Sequence, residues 1–106
     1  MDKETAIRYV KRYADLVRQH FDVRKIILYG SYARGTARMD SDIDVAVVLC
    51  SVEEDFLKSA ARLFRLRREV DARIEPVLLE ESNEKSGFLE EILKTGEIIY
   101  SADTSA

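Results

Sequence analysis

The stretch KIILYGSYARGTARMDSDIDVAVVL, residues 25–49, decides the fold. Its first five residues, Lys25 to Tyr29, are apolar and rich in β-formers, which predicts a short buried strand. Gly30 ends that strand. Residues 30–42 carry two glycines and several small polar side chains, the composition of a turn with room for at most a short helix. Ile43 to Leu49 (IDVAVVL) reads as a second strand. Asp42 and Asp44 bracket its first residue, and residues two apart on a strand share a face, with Cα atoms roughly 7 Å apart. Both carboxylates can therefore converge on one point. Ile43, Val45, Val47 and Leu49 take the opposite parity and can fill a core. Ala46 and Val48 continue the carboxylate face as apolar residues, which leaves the acids at the strand's end. Neighbouring carboxylates repel each other unless a cation or solvent compensates, and this is the physical reason to expect a metal here.

Outward from this stretch, Ile7, Val10, Ala14, Val17 and Phe21 step by three and four and predict an amphipathic helix over roughly residues 3 to 20. Downstream, Val52 to Val70 reads as a helix with Leu57, Ala60 and Phe64 on its inner stripe. Arg73 to Leu79 (RIEPVLL) reads as a third strand, and Pro76 within it points to an edge or a strand end. Phe88, Leu89, Ile92 and Leu93 mark a last helix stopped by Gly96, and Ile98 to Tyr100 a last short strand. The order α-β-turn-β-α-β-α-β implies an α/β (α+β) chain, a small mixed sheet flanked by helices. One domain is expected over residues 1–100, with SADTSA, residues 101–106, as a frayed tail.

The bulk numbers narrow the function. With 106 residues and a net charge of -3, the chain has no global basic field, which disfavours nucleic acid as a partner. Cys50 is the only cysteine, so no internal disulfide can form, and it reads as a small hydrophobe. The absence of a signal-like start and of a long apolar run gives a cytoplasmic expectation, away from membranes. His20 is the only histidine, which removes His-rich zinc sites and makes a Ser-His-Asp triad hard to build. It reads as a helix-end residue. Any metal should be hard and held by oxygen.

Glu75 is the candidate third acid, on a strand that can neighbour the second, with Ile74 pointing the other way. A third carboxylate lets two divalent ions be held together, the arrangement suited to in-line displacement at phosphorus. Asp71 is the reserve. The plain alternative for Glu75 is a surface residue paired with Arg73 or Lys25. Gly30 lets backbone approach a phosphate closely, and Ser31 with nearby amides can hold its oxygens. Arg34 and Arg38 can meet the remaining negative charge. The basic run Arg62, Arg65, Arg67, Arg68 reads as a solvated helix face. Phe88, Leu89 and Tyr100 stand as either a docking surface or core.

Together these features resemble a known family. Gly30-Ser31, ten residues, then Asp42-Ile43-Asp44 matches the G-S-x10-D-x-D signature of the nucleotidyltransferase superfamily that includes DNA polymerase β and kanamycin nucleotidyltransferase. The fuller GSYARGTARMDSDIDVAVV is similar to minimal nucleotidyltransferase (MNT) domains of bacteria and archaea. The resemblance covers most of the chain. It implies a polymerase-β-like fold, with Gly30 and Ser31 at the phosphates of ATP, where Arg34 is the candidate cation beside them. It also implies magnesium, one or two ions, on Asp42, Asp44 and Glu75. The family's third acid is commonly aspartate, so Glu75 is a departure. Larger relatives carry an extra acceptor-binding domain that is missing here, which implies recognition through a partner or a second copy of the chain. The partner implied is a HEPN-domain toxin, with AMP transferred from ATP to a hydroxyl on it and the chain acting as antitoxin. The rival expectation is a catalytically weak module of the same fold that neutralises such a partner by occlusion.

Overall fold

The computed structural model describes residues 1–52 and 55–102 of the chain. Helix α1, Lys3–Arg18, begins where the Asp2 carboxylate accepts a hydrogen bond from the Thr5 amide at 2.8 Å, a side-chain cap on an otherwise unpaired helix donor. It buries Ala6, Val10, Tyr13, Ala14 and Val17. This stripe is wider than Ile7 and its periodic partners suggested, because Tyr13 also faces inward. The Tyr13 hydroxyl donates to the Leu63 carbonyl at 2.7 Å, which joins α1 to a later helix.

Strand β1, Val23–Tyr29, leads through Gly30 into the four-residue helix α2, Ser31–Arg34, and then to β2, Ile43–Leu49. Helix α3, Phe56–Leu66, runs on into a 3-10 turn at Arg67–Glu69. Strand β3, Ile74–Glu80, helix α4, Phe88–Thr95, and strand β4, Glu97–Ser101, complete the chain. The sheet order is β3-β2-β1-β4, with β2 antiparallel to β1 and parallel to β3, and β1 antiparallel to β4. The mixed sheet is therefore as expected, and Pro76 lies on an edge strand, where its missing N–H costs no ladder bond. Ser101, assigned by sequence to the tail, pairs with Lys25 as the last residue of β4. Residues 103–106, the rest of that tail, lie outside the described residues.

Each face of the sheet has its own core. Ile26 and Leu28 of β1, with Ile43, Val45 and Val47 of β2, face α1, α3 and Tyr32 of α2. Ile27, Ala46 and Val48 face the other way and pack on Leu89 and Ile92 of α4. Gly96 lets α4 turn tightly into β4, since a Cβ there would sit 2.7 Å from both the Ile92 and Leu28 carbonyl oxygens.

The inner stripe predicted for α3 is corrected. Leu57 is 77% exposed and Phe64 42%, while Ser59 and Leu63 are the buried residues. Asp55 caps the helix through the Leu57 and Lys58 amides, so it starts at Phe56 rather than Val52, and residues 53–54 lie outside the described residues. One helical position rotates a side chain by about 100°, so two apolar sets one residue apart give competing stripes. Phe88, Leu89 and Tyr100 also resolve towards packing. Leu89 is buried, Phe88 meets Tyr29 edge to face at 5.3 Å, and Tyr100 lies under the Arg18 guanidinium at 4.0 Å.

Candidate active site

Gly30 joins β1 to α2 with φ 76° and ψ -151°, a region that side chains other than hydrogen essentially exclude. A Cβ at this position would lie 2.3 Å from Asp44 Oδ2. The glycine is therefore needed twice, for its backbone angle and for the room it leaves to the carboxylate. Beyond it Ser31 opens α2, and Gly35, also at positive φ, closes it by giving its amide to the Ser31 carbonyl. The chain then turns at residues 38–41, where the Arg38 amide donates to Ser41 Oγ at 2.8 Å and the Ser41 amide to the Arg38 carbonyl. That turn delivers Asp42 to the start of β2, and the Ile43 amide fixes it by donating to the Arg73 carbonyl at 2.8 Å.

The register supplies the rest. Tyr29 of β1 pairs with Asp44, and Asp44 pairs with Glu75 of β3, so the three stand in a row across the α4 side of the sheet. Asp42 is exposed and Asp44 and Glu75 are half-buried. The Asp44 carboxyl is held above the usual carboxylate range by burial first, then by the like charges of Asp42 and Glu75, with Arg34 opposing. Tyr29 is raised as well, by burial and then by Asp44 and Glu75. Mutual repulsion among these acids means that Asp42, Asp44 and Glu75 share one electrostatic neighbourhood.

They do not yet share one point. Among the described residues, no three acidic, histidine or cysteine side chains gather closely enough to hold a single ion. Glu75 Oε1 instead accepts from Arg67 Nη1 at 3.1 Å. The plain alternative, a Glu75 paired with a cation, finds its partner in Arg67, which is thereby drawn off the solvated face. Asp71, the reserve acid, lies in the turn before β3 and not on the strand with Glu75. It accepts from Arg73 Nε, Nη2 and the Arg73 amide, and these bonds hold its carboxyl below the usual range. His20 and Cys50 lie at the far end of the sheet. They line a cleft of about 450 Å³ with Asp22, Ser59 and Arg62, and none of Asp42, Asp44, Asp71 and Glu75 lines it. Cys50 is exposed there, contrary to the small-hydrophobe reading, because β2 ends at Leu49.

Two residues of the site escaped the sequence reading. Tyr29 carried a usable signal, as the residue immediately before Gly30, but only the register shows that it faces Asp44. Arg67 carried none, since nothing distinguishes it from Arg65 or Arg68.

A glycine turn seated against a strand-end aspartate pair, on a small mixed sheet backed by helices, defines a nucleotidyltransferase. The chain belongs to the polymerase beta nucleotidyltransferase family, whose pattern matches residues 11–105. It is 34% identical to the protein adenylyltransferase MntA of Thermococcus cleftensis over 88 residues, which is 79% of this chain and 80% of that one. Two solved structures share the fold. One is a Sulfolobus solfataricus protein described as a nucleotidyltransferase, with a TM-score of 0.72, 18% identity, and coverage of 97% of this chain and 86% of that one. The other is a complex of tri-AMPylated Shewanella oneidensis HEPN toxin with MNT antitoxin. It matches with a TM-score of 0.63 and 16% identity over 95% of this chain and 74% of that one. No helix among the described residues is long and apolar enough to cross a membrane.

Proposed function

We propose that the chain transfers AMP from ATP to a hydroxyl group on a HEPN-type toxin partner and acts as its antitoxin. The observation that carries this reading is the contact of Gly30 with Asp44. A tight glycine turn lies directly beside Asp44, which supports reading it as the point where phosphate is admitted. The MntA relative, named as a protein adenylyltransferase, supports the choice of AMP and of a protein acceptor. Gly30, Ser31 and Arg34 bind the triphosphate, through close backbone approach, a hydroxyl and a guanidinium respectively.

Asp42, Asp44 and Glu75 offer only hard carboxylate oxygens, and Asp44 is held above its usual range by burial and like charge, so the set suits magnesium. Bound there, the ion would neutralise the triphosphate and polarise its α-phosphate. The acceptor oxygen attacks the α-phosphorus, the bond to the bridging oxygen breaks, and pyrophosphate leaves with the electron pair. Glu75 helps hold the ion and lowers the acceptor hydroxyl's pKa through it, or takes its proton directly.

The test uses the chain with its toxin partner in a growth-rescue assay, with intact-mass measurement of the partner. Wild type should add mass in AMP units, and an Asp42→Asn, Asp44→Asn double variant should fold, add none and fail to rescue. Rescue by the double variant without added mass would establish occlusion instead.

A further inference from the structure

Arg67 follows α3 directly, and its Nη1 donates to three oxygens: the Ala72 carbonyl at 2.7 Å, the Ile74 carbonyl at 3.1 Å and Glu75 Oε1 at 3.1 Å. Its guanidinium carbon lies 3.7 Å from the centre of the Phe64 ring. The side chain is only 18% exposed, against 43% for Glu75. The Ile43 amide takes the Arg73 carbonyl, so in an extended strand the next carbonyl, that of Ile74, points away from β2 to the free edge of β3. Arg67 therefore sits at that edge. Asp44 lies on the inner side of Glu75, on β2. The register puts Asp44 and Glu75 side by side, at the strand spacing of about 4.8 Å. Glu75 Oε1 nevertheless accepts from the edge guanidinium at 3.1 Å, and among the described residues no three acids gather to hold one ion.

The bond to Glu75 is the expendable one. Nη1 carries two hydrogens and has three acceptors, so two of the three must share a hydrogen. Releasing Glu75 leaves Arg67 anchored by two carbonyls and by Phe64, and no backbone has to move. While no divalent ion is bound, the pairing also relieves one of three crowded negative charges.

We infer that Arg67 is a positioning residue that holds Glu75 at the free edge of β3, and that Glu75 joins Asp42 and Asp44 only by exchanging this guanidinium for a divalent ion. The inference rests on the reading of these three acids as the ion-binding set. Arg67 thus acts as a brake on ion loading. Its removal should tighten ion binding, whereas loss of a merely structural residue would loosen it.

Manganese binding, followed by the electron paramagnetic resonance of the free ion with a non-hydrolysable ATP analogue present, tests the exchange. Arg67→Met should tighten manganese binding roughly three- to tenfold, the scale of one charge-assisted hydrogen bond at a partly exposed site. Glu75→Gln should weaken it, and the double variant should match Glu75→Gln, because Arg67 acts only through Glu75. Weaker or unchanged binding in Arg67→Met, with Glu75→Gln still impaired, overturns the brake and leaves the ion site standing. If Glu75→Gln binds manganese as wild type does, Glu75 is no ion ligand, and both the inference and that part of the functional reading fall. Should Arg67→Met not fold, the wild-type protein decides through its Arg67 Nε–H resonance during a magnesium titration. A shift that saturates together with ion binding supports the exchange, and a stationary signal overturns it.

Discussion

On the α1 and α3 side of β2, Ile43, Val45 and Val47 are fully buried. On the α4 side the same strand begins with Asp44, half-buried, and becomes apolar only at Ala46 and Val48. The first face is covered by the sixteen residues of α1 together with α3, and the second by the eight residues of α4, which packs on β1 and β4. A short helix cannot reach the whole sheet, so the start of β2 stays open on that side. Stability and chemistry are thereby separated by a single step in parity along one strand. The first face carries closed packing, while the second leaves a carboxylate partly desolvated beside two others.

The largest effect should come from breaking the closed face. Ile26 is fully buried there, and Ile26→Ala should destabilise the fold by about 2–5 kcal/mol, the sum of lost transfer energy and an unfilled cavity. Urea unfolding measures this, and nucleotide affinity per folded molecule should be unchanged. A loss of affinity in protein shown to be folded would mean that the two faces are coupled through the sheet.

The next effect belongs to the point where backbone and acid meet. Gly30→Ala should cost about 1–3 kcal/mol from the backbone angle alone. The collision with Asp44 Oδ2 adds to this, so the same substitution should be cheaper when Asp44 is already alanine. A double-mutant cycle on Gly30→Ala and Asp44→Ala should show coupling on the order of 1 kcal/mol. Additivity would show that the carboxylate moves aside freely, and that the glycine serves the backbone alone.

Much of this architecture could be read from the sequence. Strand β2 was legible to the residue, because alternation of acids and aliphatics fixes both its limits and its faces. Pro76 announced the edge, and Gly30 announced a turn that no other residue can make. The cross-strand row of Tyr29, Asp44 and Glu75 was legible only in part, since parity gives the face but pairing partners depend on register. Arg67 was illegible because its importance lies in which carbonyls the 3-10 turn presents it to. The α3 stripe misled because Leu57 and Phe64 are as apolar as Leu63 and Leu66, and sequence alone does not say which set faces the sheet.

The smallest effect is electrostatic, and it tests why the open face is costly. Burial, then Asp42 and Glu75, raise the Asp44 carboxyl above its ordinary value of 3.8, while Arg34 lowers it. A carboxyl raised in the folded state favours its neutral form there. Its contribution to stability is therefore present below the unfolded value and is lost as pH rises through the folded one. At neutral pH the ionised Asp44 is a net cost in the ion-free protein. Asp44→Asn should then unfold at a higher urea concentration than wild type at pH near 7, and the advantage should fade as the solution is acidified past the Asp44 transition. Carboxyl carbon NMR of the ion-free protein reads that transition directly, and its causes can be separated by sign. Glu75→Gln removes a like charge and should move the Asp44 transition down, whereas Arg34→Gln removes the opposing cation and should move it up. Shifts in the same direction for both variants would show that a change in solvent exposure, rather than these charges, sets the carboxyl. A stability advantage of Asp44→Asn that persisted unchanged into acid would place its origin in packing and not in charge.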